Sequence, residues 1–321
     1  MRRNDLNDLT GKEWIKFTRT WFVCDSPRYW RNKGTELHPA RFPEEMVAEF
    51  MRFFTKRGGA VLDPFLGSGA TLVACAENER VGVGVELSER YARIAEKRSK
   101  LQPAAGGVGK QREGEILRCA QDDKMEEAEP KQVVMRGDAR GIGKAGFWRE
   151  RREEMEGAGI GFLRGLPQFD FAITSPPYWR MLRTSRGGVF SKHKQRAARG
   201  LDTAYSDRAD DLGNIGDYDE FVAALARVFA GVRRCVKPGK YLVVVAQNLR
   251  DPEGEVRMLA WDLARAMGRS GWQFQGERIW CQNTKPLGIW GYPKVFVPNY
   301  HHHYCLIFRK RPSQGARRKG R

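Results

Sequence analysis

The sequence predicts an α/β fold with one mainly parallel sheet, helices on both faces and an antiparallel strand pair at the end. Residues 60–79 read as an apolar strand, a Gly-rich turn and a helix, and residues 80–98 repeat the strand–helix order. This alternation is typical of parallel sheets, whose strands need crossover helices. The stretches 274–283 and 301–310 read as two closing strands without a helix between them, which favours antiparallel pairing.

The remaining elements follow from local patterns. A helix is expected from Pro43, since two glutamates follow it and apolar residues recur at helical spacing until Gly58-Gly59 end it. The stretches 133–140 and 169–173 read as strands. An amphipathic helix and a buried strand follow within 217–248, and a further helix begins near Met258. The chain of 321 residues suits a single domain over 1–310, with a basic disordered tail at 311–321.

Two stretches interrupt this order. Residues 101–132 are rich in Gly, Gln and charge, which predicts a mobile insertion. Residues 180–216 are strongly basic and poor in apolar side chains. They are expected to contact a phosphate backbone or to recognise a target sequence, and the alternative is a disordered charged loop with nonspecific affinity.

The composition points to a polyanionic partner. The formal net charge is +18 and the arginines are clustered, although lysines that only confer solubility would be an alternative source of charge. No apolar run is long enough to span a bilayer, and the N-terminus has no apolar signal-peptide region. Six scattered cysteines without a Cys-x-x-Cys pair suit a reducing compartment and argue against structural zinc. We therefore expect a cytoplasmic location and no membrane association.

The Gly-rich turn 63–71, "DPFLGSGAT", suggests a ligand at the end of a strand. Gly67 and Gly69 allow a tight turn and a close approach of the backbone to a bound molecule. A phosphate loop would need a Gly-Lys-Ser/Thr end, and a dinucleotide fingerprint would need a third glycine where Leu72 stands. The turn is therefore expected to bind a group other than a pyrophosphate.

Two acidic residues close the next strands. Glu86 follows the glycines by about 20 residues and could accept hydrogen bonds from ribose hydroxyls, or could instead cap the helix that begins near it. Asp138 could accept from an adenine amino group, but "GDAR" also suits a simple turn. Together with the Gly-rich turn, these residues predict a nucleoside pocket at the carboxyl edge of the sheet.

The stretch 174–179, "TSPPYW", leaves the strand at 169–173 with two prolines and two aromatic residues. Proline fixes its own φ and restricts the residue before it, so the backbone is stiff at this exit. A Pro-rich turn without function is an alternative for this stretch taken alone. In a parallel sheet, however, the stretch reaches the same edge as the Gly-rich turn.

The combination of "DPFLGSG" and "SPPY", in this order and at strand ends, resembles the amino-methylating DNA methyltransferases, which act on cytosine N4 or adenine N6. The resemblance runs from about Trp14 to Lys310, without the 101–132 insertion. It implies a Rossmann-like class I methyltransferase fold and S-adenosyl-L-methionine as cofactor. The implied cofactor-binding residues are His38, Pro39, Asp63, Pro64, Phe65, Gly67, Gly69, Glu86 and Asp138. The implied catalytic residues are Ser175, Pro176, Pro177 and Tyr178.

These catalytic residues suit transfer to an exocyclic amino group, whose lone pair is delocalised into the ring. The Ser175 hydroxyl and the Pro176 carbonyl would accept hydrogen bonds from the amino hydrogens and stabilise the positive charge that develops on nitrogen. Pro177 presets that carbonyl, and no covalent intermediate or catalytic cysteine is needed. Tyr178 would stack on the extruded base, and Trp179 would either wall the pocket or pack in the core.

Serine at the first position of this motif favours cytosine N4 as the target in the family, with adenine N6 as the alternative. We expect double-stranded DNA as substrate, contacted by Arg180, Arg183, Arg186, Lys192, Lys194 and Arg196, and a restriction–modification setting with a cognate endonuclease. An RNA methyltransferase and a catalytically idle DNA-binding protein stay open.

Secondary candidates lie elsewhere in the chain. Arg41 could pair with a cofactor carboxylate or be a surface charge, and Gln247 and Asn248 follow a strand that ends at the ligand edge. The run "HHHY" at 301–304 suggests a base pocket, a DNA contact or strand packing more than a metal site, because no Cys-x-x-Cys set or carboxylate accompanies it. The Gly-, Pro- and aromatic-rich stretch 285–300 could border the target pocket.

Overall fold

The computed structural model of the protein describes residues 4–25, 42–100, 131–179, 211–251 and 253–312. His38, Pro39 and Arg41 lie outside the described residues, as do the predicted DNA contacts between Arg180 and Arg196. The roles expected of these residues stay predictions.

The helices lie mostly where the sequence predicted them. They are α1 (Gly11–Phe17), α2 (Glu44–Phe54), α3 (Ala70–Glu77), α4 (Glu89–Ser99), α5 (Arg152–Gly157), α6 (Tyr218–Cys235) and α7 (Leu259–Arg269). Short 3-10 turns occupy Ala139–Gly141, Ala145–Arg151 and Leu212–Asn214.

The strands are β1 (Trp21–Val23), β2 (Ala60–Asp63), β3 (Val81–Glu86), β4 (Val133–Arg136), β5 (Phe162–Leu163), β6 (Leu166–Pro167), β7 (Phe169–Thr174), β8 (Val236–Ala246), β9 (Leu249–Arg250), β10 (Val256–Arg257), β11 (Trp272–Cys281) and β12 (His302–Lys310). The pairs β5–β6 and β9–β10 form two small antiparallel ribbons outside the main sheet.

The main sheet has eight strands in the order β1-β11-β12-β8-β7-β2-β3-β4. Strands β4, β3, β2, β7 and β8 are parallel, and β12 is antiparallel to both β8 and β11. The predicted mainly parallel sheet with a closing antiparallel pair is therefore confirmed. The chain runs outward from β2 to β4 and then returns to place β7 beside β2, so the strand order reverses between β2 and β7. A crevice for ligands opens at the carboxyl ends of strands at such a reversal.

Two apolar layers cover the two faces of this sheet. On one face, Val61, Phe171 and Val243 pack against the phenylalanine-rich side of α2. On the other face, the neighbouring residues Leu62 and Ala172 belong to the cluster built with α6 and α7. Adjacent residues of a strand point to opposite faces, so central strands buried on both sides read as continuous apolar runs. Helices on both faces are thereby confirmed.

Helix α2 begins as predicted and ends early. Pro43 is its N-cap, but the helix stops at Phe54 rather than at the Gly58-Gly59 pair. Thr55 has extended dihedral angles, and both its amide and its hydroxyl donate to the Met51 carbonyl. The predicted C-terminal end of α2 was therefore wrong. The Thr55 hydroxyl also accepts a hydrogen bond from buried Arg80, which ties Thr55 to the turn before β3.

Parts of the two interrupting stretches are described, whereas residues 101–130 and 180–210 lie outside the described residues. Gln132, assigned to the insertion, is ordered beside β3, where its amide donates to the Arg80 carbonyl and accepts from the Gly82 amide. Asp211, at the end of the basic segment, caps the 3-10 turn Leu212–Asn214. Residues 141–168, for which no elements were predicted, contain α5 and the β5–β6 ribbon around the buried Trp148, whose indole donates to the Ile142 carbonyl. The Gln132 contacts join residues 50 and 52 positions apart, which a local sequence pattern does not predict.

No helix within the described ranges is both long and apolar enough to cross a membrane. Cys75 and Cys305 are buried, whereas Cys281 is half-buried.

Arg278 joins the N-terminal segment to the sheet. Its guanidinium lies 4.1 Å and 4.4 Å from the ring centroids of Phe17 and Phe22, and it donates to the Arg19 carbonyl and the Glu49 carboxylate. A desolvated guanidinium between aromatic faces is a favourable cation–π arrangement. This side chain therefore holds α1 and β1 against β11.

We expect Arg278→Met to lower the free energy of unfolding by about 2–3 kcal/mol, because it removes the cation–π contacts and leaves the Arg19 carbonyl without its donor. Urea denaturation measures the change. The matched control is Arg269→Met on the exposed end of α7, which should cost no more than about 0.5 kcal/mol. Equal losses in the two variants would contradict this role of Arg278.

Candidate active site

A pocket opens at the carboxyl ends of β2, β3 and β7, where the sheet order reverses. Its empty volume is about 930 Å³, including the solvent in its mouth. Eight of the predicted site residues line it: Pro64, Phe65, Gly67, Glu86, Asp138, Ser175, Pro176 and Pro177. The Gly-rich turn and the "SPP" turn, more than 100 residues apart in sequence, therefore face one space.

Three predicted residues, Asp63, Gly69 and Tyr178, do not line this pocket. Several lining residues were not predicted, notably Ser68, Ser88 and Asp211. Asp211 carries no local sign of a pocket, because "DDLGN" reads only as a turn.

Glu86 closes the Gly-rich turn. One carboxylate oxygen accepts from the Gly67 amide at 2.8 Å, and the other accepts from the Ser88 amide at 2.8 Å. Burial raises the pKa of Glu86 to about 7. The two amide hydrogen bonds lower this pKa, whereas the negative charges of Asp63 and Asp211 raise it further. Glu86 thus links the turn to β3 and α4 and also lines the pocket, and its predicted contact with ribose hydroxyls stays a prediction.

Gly69 has a packing role rather than a place in the pocket lining. Its φ is +87°, in the left-handed region, where it forms the N-cap of α3. A Cβ at this position would lie 2.8 Å from the Cβ of Ala95 on α4. Only glycine satisfies both constraints without displacing α4.

Asp63 connects the Gly-rich turn to the "SPP" turn. Its buried carboxylate accepts from the Phe65 amide at 3.0 Å, from the Thr71 hydroxyl at 2.5 Å and from the Thr174 hydroxyl at 2.6 Å. Burial raises the pKa of Asp63 to about 6, against the effect of these three donors. Asp63 does not line the pocket but holds Thr174, the residue immediately before Ser175, and its predicted cofactor contact stays a prediction.

Tyr178 supports Ser175 from behind the pocket. The two hydroxyl oxygens are 3.0 Å apart, and the Tyr178 hydroxyl donates to the Val245 carbonyl at 3.4 Å. The Tyr178 ring is only 4% exposed and lies 6.4 Å from the His303 ring. This placement differs from the expected one, in which the ring would face an extruded base. Trp179 packs edge-on against Tyr218 and donates to the Ile215 carbonyl, which favours the core alternative for that residue.

Beneath the turn lies a buried ion pair between Arg98 and Glu44. Arg98 also donates to the Ser68 carbonyl, so α2, α4 and the turn meet at this guanidinium. The Ser68 hydroxyl is buried, lines the pocket and has no hydrogen-bond partner among the described residues. An unpaired buried hydroxyl costs free energy unless a ligand or water satisfies it.

The pocket is acidic within a basic protein. Glu86, Asp138 and Asp211 line it, and none of the lining residues that the structure describes is Lys or Arg. The Asp138 carboxylate accepts from the Arg140 amide at 2.8 Å and forms an ion pair with its guanidinium, so both the turn role and a ligand role are compatible with its position. The lining favours a cationic ligand over a phosphate anion.

Among the secondary candidates, Gln247, Asn248, His301 and His303 make hydrogen bonds or ring contacts within the protein. Gln247 donates to the His302 carbonyl, and Asn248 accepts from the Ala260 amide in the first turn of α7. The His301 ring lies between the Asn299 and Lys285 carbonyls, and the His303 ring stacks on Trp280 at 4.7 Å. Within the described ranges, no three His, Cys, Asp or Glu side chains are arranged to hold a metal ion.

Replacing Thr174 tests the Asp63 link. We expect Thr174→Val, which preserves the shape but removes a donor from a buried carboxylate, to lower the free energy of unfolding by about 2 kcal/mol. The control is Thr284→Val, whose exposed hydroxyl donates to exposed Asp25 and should cost about 0.5 kcal/mol or less. Urea denaturation of both variants decides, and a negligible effect of Thr174→Val would refute the link.

The raised pKa of Glu86 predicts a pH dependence of stability. Because the folded pKa of about 7 exceeds the unfolded value of 4.5, the stability contribution is fully present below pH 4.5 and is lost as pH rises to 7. Relative to Glu86→Gln, the wild type should lose about 1–2 kcal/mol over this window, since the open pocket screens part of the effect. Denaturation at several pH values measures it. The exposed-site control Glu150→Gln should retain the wild-type dependence, and parallel curves for wild type and Glu86→Gln would contradict the assignment.

Comparison with known proteins matches this chain to methylases and methyltransferases. Residues 3–97, which include the Gly-rich turn and Glu86, match the family model N6_N4_Mtase, described as DNA methylase. The chain is 45% identical over 71 residues to the type II methyltransferase M.SmaI of Serratia marcescens, covering 21% of this chain and 24% of that protein. It is 41% identical over 63 residues to the orphan methyltransferase M.BamHII of Bacillus amyloliquefaciens, covering 20% and 24%. The matches thus span about a quarter of the length of these relatives.

Among solved structures, a putative DNA modification methylase of Thermus thermophilus in complex with S-adenosyl-L-methionine superposes with a TM-score of 0.29. The identity is 25%, over 46% of this chain and 49% of that one. A superposition this loose supports neither fold nor function. The family match and the curated relatives confirm the resemblance of this chain, through its N-terminal third, to the amino-methylating DNA methyltransferases.

Proposed function

We propose that this protein is a site-specific DNA methyltransferase that transfers a methyl group from S-adenosyl-L-methionine to the N4 amino group of cytosine. The observation that carries the proposal is the shared pocket of the Gly-rich turn, Glu86 and the turn Ser175–Pro176–Pro177. The methyl donor and the hydrogen-bond acceptors for the target amino group would lie together in this pocket.

The lining suits this cofactor better than a dinucleotide. S-adenosyl-L-methionine, when bound, supplies an activated methyl group on a positively charged sulfur. The carboxylates of Glu86, Asp138 and Asp211 favour such a cation, whereas a pyrophosphate would meet repulsion. Glu86 has oxygens available to ribose hydroxyls, and the unpaired Ser68 hydroxyl offers a further polar contact.

The hydroxyl pair behind the pocket supports Ser175 as an acceptor. Because the Tyr178 hydroxyl donates a hydrogen bond to the Val245 carbonyl, the Ser175 hydroxyl can donate a hydrogen bond to the Tyr178 oxygen. The lone pairs of Ser175 then remain available to an amino hydrogen in the pocket. The Pro176 carbonyl is the second acceptor, and Pro177 restricts its orientation. Two fixed acceptors draw electron density toward the amino nitrogen and stabilise its positive charge as the methyl group arrives.

Serine at position 175 favours cytosine over adenine in this family, and adenine N6 transfer is the alternative. Hydrolysis of DNA treated with the protein and the cofactor, followed by mass spectrometry of the nucleosides, separates the two. N4-methyl-2′-deoxycytidine is the expected product, and N6-methyl-2′-deoxyadenosine would select the alternative. Sequencing of modified genomic DNA from expressing cells would then assign the recognition site.

DNA as the substrate follows from the family resemblance and from the net charge of +18. Competition between duplex DNA and structured RNA tests the RNA alternative. Calorimetry with S-adenosyl-L-methionine tests the alternative of a catalytically idle DNA-binding protein, for which no binding of this cofactor is expected. A cognate restriction endonuclease would be the partner of such an enzyme in a restriction–modification pair.

We expect Ser175→Ala to lower turnover by about 10²-fold, because one of two transition-state acceptors is lost. Cofactor affinity should stay within about 3-fold, since the Gly-rich turn and Glu86 are unchanged. Tritium transfer from labelled cofactor measures turnover, and calorimetry measures affinity. The control is Ser270→Ala at the end of α7, which should leave both unchanged. Wild-type turnover in Ser175→Ala would defeat the acceptor assignment.

A further inference from the structure

The connection between β11 and β12, residues 285–300, presents apolar side chains to solvent. We name this segment the apolar loop. Leu287, Ile289, Tyr292 and Phe296 are 79%, 85%, 82% and 84% exposed. Contiguous exposed apolar groups of this size are uncommon on soluble proteins and usually mark a binding surface.

The apolar loop is held in one shape by its own hydrogen bonds. The Asn299 side chain bonds both the amide and the carbonyl of Gly288 and accepts from the Trp290 indole. The amides of Lys294 and Val295 donate to the Gly291 carbonyl. Gly291 has a φ of +73°, and a Cβ there would lie 2.3 Å from the Val295 carbonyl oxygen. The exposure is therefore a fixed presentation of apolar groups.

The root of the apolar loop lies at the catalytic edge of the sheet. Strand β12 begins beside the carboxyl end of β8, where Tyr304 pairs with Ala246, and β7 ends next to β8. The His303 ring stacks on Trp280 and faces the Tyr178 ring. A continuous row of rings thus joins the root of the apolar loop to the "SPP" turn.

Charge indicates which partner covers this surface. No Asp or Glu occurs after Glu277 in the sequence, and the apolar loop carries the exposed Lys294. The Arg250 guanidinium donates to the Phe296 carbonyl at 3.5 Å, which brings a second cation to the base of the exposed ring. A loop without acidic residues of its own, apolar at its tip and accompanied by the cations Lys294 and Arg250, complements a nucleic acid duplex, whose stacked bases lie between two phosphate rows.

We propose that the apolar loop is a wedge that enters the target duplex and fills the gap left by the extruded base. This inference rests on the proposed function, because a base-directed methyltransferase must unstack its target. Apolar side chains inserted between base steps offset that cost. Ile289 and Phe296, the two most exposed, are the wedge residues.

The test compares Ile289→Ser and Phe296→Ser, singly and together, with the control Leu163→Ser. Leu163 is 59% exposed on the β5–β6 ribbon, which precedes the amino end of β7, away from the catalytic edge. All replaced side chains are exposed, so the melting temperatures should match that of the wild type. Methyl transfer is measured on a duplex with a paired target base and on the same duplex with a mismatch at the target.

The double variant should lose about 10-fold or more in kcat/KM on the paired target and less than about 3-fold on the mismatched one, where extrusion costs little. Leu163→Ser should match the wild type on both. Equal losses on both targets, or no loss, would overturn the wedge. So would a wild-type dimer that the double variant converts to monomers without any change in DNA binding, because the surface would then join two copies.

Failure of the proposed function has a different outcome. If the wild type transfers no methyl group to any DNA, fluorescence anisotropy with a labelled duplex still decides the role of the apolar loop. The double variant should then bind the duplex about 10-fold more weakly than wild type and Leu163→Ser. Unchanged binding would overturn the wedge.

Discussion

The hydrogen bonds of the Asp63 carboxylate hold the rest of the site in place. One buried group receives the Phe65 amide from the Gly-rich turn, the Thr71 hydroxyl from α3 and the Thr174 hydroxyl from β7. A buried carboxylate is costly without donors, so each donor is held firmly. The Gly-rich turn and the turn Ser175–Pro177 are therefore fixed relative to each other. Catalysis by orientation depends on such relative placement, which a shift of about 1 Å can abolish.

Buried charged side chains join elements distant in sequence at two further places. The pair of Arg98 and Glu44 joins α2, α4 and the Ser68 carbonyl, and Arg278 joins the N-terminal segment to β11. Buried ion pairs of this kind add little net stability, but removal of one partner is costly, so they oppose alternative packings. The pair of Arg98 and Glu44 lies beneath the Gly-rich turn of the pocket.

The molecule separates its charges by function. The chain as a whole is strongly basic, whereas the described lining of the pocket is acidic. The described lining of the pocket therefore differs in the sign of its charge from the chain as a whole. The raised pKa of Glu86 follows from the same crowding of carboxylates. A cation in the pocket would relieve that repulsion, so binding of the ligand and ionisation of Glu86 are coupled.

Local patterns were sufficient for α2, α3, α4, α6 and α7, for the strands of the main sheet from β2 onward, for the Gly-rich turn and for the stiff exit at Pro176 and Pro177. Glycine, proline and apolar periodicity act over a few residues, which is why they predict such elements. They were also sufficient for a shared edge, since parallel strands bring their carboxyl ends together. Only the tertiary structure decided that Asp63 and Tyr178 stand behind the pocket, that Ser68 and Asp211 line it, and that residues 141–168 are ordered around Trp148. Those outcomes depend on partners 30 to more than 100 residues away, such as Arg98 for Ser68 and Thr174 for Asp63. Such contacts form only when the whole chain has folded, so no short stretch of the sequence predicts them.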